Sequence, residues 1–241
     1  MTSFQLVPLH EIASRWNKQI AFPLDIDLID EIIGGLIPSQ LHIVVGDSGV
    51  GKTWFCLKAI FQILTKNPQA HVVYNDFRGN FRINNLRKML SNPCEQLDQI
   101  TIFQPTSLLE QIIFVRNLLE ISDCSFDLIV LDSVFGSPLT CLEYFYKKSK
   151  FWNKKIFAHL LDLQTVARQM KIPILLTNHL ISTRENFELG SSLNQYGGDL
   201  VEQFVPIMFS LKKIAQKLFI ELRIFQEIID HSDLFPPINE S

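Results

Sequence analysis

Residues Gly46-Asp47-Ser48-Gly49-Val50-Gly51-Lys52-Thr53 constrain this chain more than any other stretch. They fit G-x-x-x-x-G-K-[ST], a loop whose backbone N–H groups wrap the phosphates of a nucleotide. In that pattern Lys52 reaches the β- and γ-phosphates and the Thr53 hydroxyl binds Mg²⁺. Gly46, Gly49 and Gly51 suit a turn in which Cβ atoms would collide with the ligand. A functionless glycine-rich turn can carry the same letters, but the surroundings argue against one. The apolar run Leu41–Val45 leads in, and Phe55, Leu57, Ile60, Phe61 and Leu64 follow at helical spacing. Strand, loop, helix is the setting the motif requires.

The 241 residues are enough for one well-buried domain, and with 47% hydrophobic residues and 19 Phe the core is ample. A net charge of −3 gives no global positive field for nucleic acid, so a local basic patch would have to supply one. No segment approaches the roughly 18 uninterrupted apolar residues of a membrane span, and Met1 to Trp16 lacks the pattern of a signal peptide. Cys56, Cys94, Cys124 and Cys141 form no C-x-x-C pair and read as reduced thiols, which predicts a cytoplasmic or nuclear location. No histidine pair has i, i+4 spacing, so no metal is expected beyond Mg²⁺ carried by nucleotide.

Short apolar runs alternate with helical patterns along the chain. Strands are predicted at Leu41–Val45, His71–Asn75, Ile100–Phe103, Leu128–Asp132 and Ile172–Thr177. Helices are predicted at Thr53–Leu64, Ile83–Leu90, Leu108–Glu120 and Ile156–Met170, the third opening on a capping box, Ser107-x-x-Glu110. Near-continuous apolar strands separated by helices imply an α/β fold with a mostly parallel central sheet covered on both faces. Val205–Leu211 and Lys217–Arg223 then read as consecutive strands, an antiparallel C-terminal extension. The predicted organisation is an N-terminal arm (1–20), one nucleotide-binding core (21–229) and an irregular tail (230–241) containing Pro236-Pro237.

Phe126 to Ser133 is an apolar strand ending in an acid, Asp132. In P-loop proteins a carboxylate so placed holds Mg²⁺, so Thr53 and Asp132 are the candidate metal residues. Four further segments carry a family resemblance. Ile29-Asp30-Glu31-Ile32-Ile33-Gly34-Gly35 resembles the "LD-x-LLGG" approach to the P-loop in the RecA/RadA recombinase superfamily. Val73 to Arg82 resembles its "Y-I-D-T-E-G-T-F-R" segment, Leu175-Leu176-Thr177-Asn178-His179 its "V-x-T-N-Q", and Tyr196-Gly197-Gly198 the "GG" after its second DNA loop. Order and spacing agree from about residue 22 to 224, and the chain is similar to the short RadB-like members and the eukaryotic paralogues. The resemblance implies a RecA-like ATPase core, ATP with Mg²⁺ as cofactor, and a place in homologous recombination and DNA repair.

Two departures bear on activity. The family's acid that polarises the attacking water is Arg78 here, and an arginine cannot accept that proton. Asp76, the nearest carboxylate, lies two residues earlier, where strand side chains share a face without sharing a position. The family's phosphate-sensing glutamine is His179, which can donate to phosphate, more strongly if protonated, or can simply cap its strand. These changes predict ATP binding with slow or absent hydrolysis.

In the family two loops face DNA, and their counterparts are roughly 136–153 and 182–196. The first ends in Lys147, Lys148 and Lys150 among Tyr144, Phe145, Tyr146, Phe151 and Trp152. Phosphate contacts with base stacking would suit single-stranded DNA, whereas an ordinary solvated helix start has the same composition. The second offers Arg184 and Phe187, with Glu185 and Glu188 partly cancelling the charge. Polymerising relatives carry a further N-terminal domain and a docking motif. Here only residues 1–20, with Phe4 and Trp16, precede the core, so association with a recombinase or paralogue subunit is expected over autonomous filaments. Two alternatives stay open: a KaiC-like regulatory ATPase without DNA binding, and a non-catalytic P-loop scaffold.

Overall fold

A computed structural model describes residues 21–121, 125–136, 150–180, 198–214 and 217–225, with backbone alone at 150–153 and 198–200. The strands among them are β1 (Leu41–Gly46), β2 (Val72–Asp76), β3 (Ile100–Phe103), β4 (Leu128–Asp132), β5 (Ile174–His179), β6 (Ile207–Ile214) and β7 (Lys217–Ile224). The helices are α1 (Asp27–Ile33), α2 (Lys52–Lys66), α3 (Ile83–Met89), α4 (Pro93–Leu97), α5 (Leu108–Glu120), α6 (Lys150–Met170) and α7 (Gly198–Phe204).

The strands form one sheet in the order β3-β2-β4-β5-β1-β6-β7. Every pairing is parallel except β6 with β7. The expected antiparallel C-terminal extension is the β6–β7 pair: β6 runs parallel to β1, and β7 turns back along it. Alternate strand residues enter two cores. Val44, Tyr74, Val130, Leu175 and Phe209 meet α1, α2 and α3 on one face; Ile43, Val73, Ile129, Leu176 and Met208 meet α5, α6 and α7 on the other. Burial on both faces explains why β1, β4 and β5 read as unbroken apolar runs.

Several boundaries differ from the sequence reading, each for a local reason. β5 starts at Ile174 because Pro173 has no N–H for a ladder. α6 starts at Lys150, six residues ahead of the predicted Ile156, because Lys150, Lys154 and Lys155 are good helix formers that carry no apolar period. α1, α4 and α7 are too short to show a helical period, although Pro93 at the first position of α4 was a legible start signal. The predicted capping box forms by half. Ser107 Oγ accepts the Glu110 N–H at 3.2 Å, but the Glu110 carboxylate reaches one residue further back, to the N–H and hydroxyl of Thr106.

The approach to β1 is braced by its own motif. Asp30 accepts the N–H groups of Leu24 (2.8 Å) and Ile26 (3.2 Å), fixing the start of α1. Phe22 and Leu36 exchange backbone hydrogen bonds at 2.8 Å, and Gly35 passes beneath them at φ +113°. A Cβ there would lie 2.0 Å from the Phe22 carbonyl oxygen, so glycine is required on both counts.

Candidate nucleotide site

The C-terminal ends of four adjacent strands, β2, β4, β5 and β1, gather the candidate residues along one rim of the sheet. Register sets the rungs: Gly46 pairs with His179, and Asp76 with Asp132. From β1 the chain turns through Gly46–Gly51 into α2. Gly51 forms its N-cap at φ +119°, a left-handed conformation that a side chain would strain, and its carbonyl accepts the Phe55 N–H at 2.9 Å. The first amides of α2 are thereby presented at a helix N-terminus, where anions are favoured.

Lys52 is 7% exposed, and its Nζ donates to the loop's own carbonyls, Gly46 O at 2.7 Å and Asp47 O at 2.8 Å. Burial lowers its pKa from 10.5 to about 8, with Asp132 and Asp47 opposing and Arg78 adding to the shift. Asp132 is a convergence point. Its Oδ2 accepts Thr53 Oγ1 at 2.7 Å and Tyr74 OH at 2.8 Å, and its Oδ1 accepts Thr177 Oγ1 at 2.6 Å. Burial, then the adjacent Asp132, raises the Tyr74 pKa, keeping the phenol a donor. The bond between Asp132 and Ser133 is cis.

A cleft of about 270 Å³ opens over this rim, lined chiefly by Ser48, Gly49, Lys52, Thr53, Arg78 and Asp132. A Cβ placed on Gly49 or Gly51 meets nothing within 4 Å, so the loop faces open space. Thr53 and Asp132 set two oxygens together beside Lys52. That fits a Mg²⁺ bound through one carboxylate plus substrate phosphates, as this ion prefers. Among the described residues no cluster of three His, Cys, Asp or Glu forms a metal site of its own.

The two departures from the family pattern meet in space. Arg78 lines the cleft, and its Nη1 lies 3.4 Å from His179 Nε2. Burial first, then Lys52 and Arg78, lower the His179 pKa to about 4, so it is neutral at physiological pH and the stronger, protonated donor is not available. Asp76 is not turned to the cleft. Its carboxylate accepts the N–H groups of Asn80 and Phe81, both at 2.9 Å, and the Gln104 amide at 3.3 Å, so it clamps the turn that carries Arg78.

Sequence reasoning missed the roles of Tyr74 and Thr177, although both stood inside the quoted motifs. It also missed Trp54, Asn80, Arg82 and Asn85, which complete the cleft. Trp54 had a signal: a large aromatic right after Thr53, off the buried stripe of α2. It is 45% exposed, with Lys58 Nζ 6.0 Å from its ring centre. The DNA candidates Lys147, Lys148 and Arg184 lie outside the described residues, as do Phe4, Trp16, Tyr144, Phe145, Tyr146 and Phe187. Lys150 opens α6, and Lys154 on its second turn is exposed. No described helix is long and apolar enough to cross a membrane.

No family model matches the chain. It is 25% identical over 188 residues to the DNA repair and recombination protein RadB of Methanococcoides burtonii, covering 77% of this chain and 80% of the relative. It is 29% identical over 157 residues to the protein of the same name from Thermococcus onnurineus, covering 63% and 66%. A crystal structure of the RadB recombinase shares the fold, with TM-score 0.65 and 21% identity over 85% of this chain and 90% of that one. Motif order and relatives together make the chain similar to the RecA/RadA recombinase superfamily, and within it to the RadB proteins, whose fold it shares.

Proposed function

We propose that this chain is an ATP-binding recombinase paralogue that assists homologous recombination and DNA repair, with slow or absent hydrolysis. The observation carrying this reading is the 2.7 Å hydrogen bond from Thr53 to Asp132, which joins P-loop and acid strand across 79 residues beside Lys52. Gly46 to Thr53 hold the phosphates, and Thr53 with Asp132 hold Mg²⁺. When bound, that ion neutralises charge on the bridging phosphate oxygens. The repair role is drawn from the names of two relatives, each called a DNA repair and recombination protein.

Slow hydrolysis follows from the carboxylates. Asp132 is the one acid among the described residues lining the cleft, and three hydroxyls already engage it. Asp76 is committed to its turn, and Arg78 accepts no proton. The same facts favour a second reading, a P-loop scaffold that keeps the fold for its contacts. Nucleotide that neither binds nor shifts the melting temperature decides for the scaffold.

Partners follow from the family: a recombinase or paralogue subunit, and single-stranded DNA through Lys147, Lys148, Lys150 and Arg184. The test is DNA binding across a salt series, with and without ATP–Mg²⁺, for wild type and Lys147/Lys148/Lys150→Ala. Salt-sensitive, ATP-strengthened binding lost in the variant supports the reading, because phosphate neutralisation releases counterions. No binding under any nucleotide condition turns it towards the KaiC-like or scaffold alternative.

A further inference from the structure

Arg78 is held from both sides. Before it, the Phe77 N–H donates to the Asp132 carbonyl at 3.0 Å; after it, Asp76 clamps Asn80 and Phe81. The turn is thus tied to β2 and β4, yet the guanidinium reaches over β4 to His179 at the end of β5. An arginine only donates, so in this contact His179 Nε2 accepts, and the neutral ring carries its proton on Nδ1. His179 then has no Nε2–H to offer a phosphate, and the donors facing the cleft at this point belong to Arg78.

The charges agree. Lys52, Arg78 and Arg82 line the cleft against a single acid, Asp132. P-loop amides serve phosphates that a diphosphate and a triphosphate share, and Lys52 spans the shared β-phosphate and the γ-phosphate. Arg78 enters the cleft from the turn after β2, across β4 and its Asp132 from the P-loop, where a third phosphate beyond those the loop amides hold would lie. A guanidinium there meets charge that only the triphosphate has.

We propose that Arg78 is the terminal-phosphate ligand of this cleft, positioned by His179 and by the Asp76-clamped turn, and that it makes the site select a nucleoside triphosphate over the diphosphate. This rests on the nucleotide-binding reading above. It gives the arginine a task in place of the missing base: the site retains the triphosphate.

The test is titration calorimetry with Mg–ATP, Mg–ADP and a non-hydrolysable ATP analogue on wild type, Arg78→Met, Arg78→Lys, His179→Ala and Lys52→Met. Wild type is expected to favour the triphosphates by about tenfold or more, the range of a charge-assisted hydrogen bond. Arg78→Met abolishes that preference by losing triphosphate affinity alone, and Arg78→Lys keeps part of it. His179→Ala weakens the preference while leaving Mg–ADP unchanged, and Lys52→Met weakens both ligands. Because Arg78 is exposed, its variants should melt close to wild type, which separates a lost contact from a lost fold. An unaltered preference in Arg78→Met, or equal loss of both ligands, overturns the inference while the nucleotide reading stands. Wild type that binds neither nucleotide overturns both.

Discussion

Thr177 Oγ1 donates to Asp132 Oδ1 at 2.6 Å, tying the middle of β5 to the last residue of β4 from inside the sheet. Thr177 is fully buried and Asp132 nearly so, so the carboxylate depends on protein donors in place of water. Thr177→Val keeps the shape and removes the donor. It is expected to cost about 1–3 kcal/mol of stability, read as a lower urea midpoint at unchanged slope. Tyr74→Phe should fall in the same range. The double variant should depart from additivity, because both hydroxyls serve one carboxylate.

Lys52 makes the site sensitive to alkaline pH. Below about pH 8 it is charged in both folded and unfolded chains, and its burial counts against folding. Between about pH 8 and 10.5 the folded chain alone has released the proton, so this residue's contribution makes stability rise with pH across that window. A bound polyphosphate favours the ammonium. Nucleotide binding above about pH 8 should therefore take up a proton, and affinity should fall as pH rises. Calorimetry at pH 8.5 in buffers of different ionisation enthalpy checks the uptake, which Lys52→Met should abolish.

Arg78→Glu puts a carboxylate where the family has its water-polarising acid. At saturating nucleotide, turnover measured by phosphate release is expected to rise by about a hundredfold or more, the low end of what general-base catalysis supplies. Unchanged turnover would mean that something other than the missing base limits hydrolysis.

Gly35→Ala should be among the most damaging single changes outside the cleft. The new methyl meets the Phe22 carbonyl and neighbouring backbone, and φ +113° is strained for any L side chain. A loss of about 3 kcal/mol or more in chemical denaturation is expected, since neither chain segment can move without breaking the Phe22–Leu36 pairing.

Much of this architecture was legible because both sheet faces are buried. Val44, Val130 and Leu175 face one core and Ile43, Ile129 and Leu176 the other, so β1, β4 and β5 stood out as apolar runs. The P-loop and Asp132 were legible because phosphate and Mg²⁺ chemistry restricts residue types at fixed spacing. Three-dimensional convergence was not. Nothing local says that Tyr74 and Thr177 share the Asp132 carboxylate with Thr53, since 58 and 45 residues separate them from it. The Arg78–His179 contact spans 101 residues and involves the two positions that depart from the family, so no motif could pair them. The same holds for Asp76: composition marks it only as an acid near the cleft, and geometry shows it spent on its own turn.

The strand order also governs which parts of the molecule open first. β4, β5 and β1 each have a hydrogen-bonded neighbour on both sides, whereas β3 and β7 close the sheet with one. Amide hydrogens of the two outer strands should exchange with deuterium long before those beneath the cleft. Fraying at either margin then leaves Gly46, Asp132 and Thr177 on their rungs. Whatever motion admits or releases a nucleotide has to occur in the turns above the rim, on a floor that stays shut.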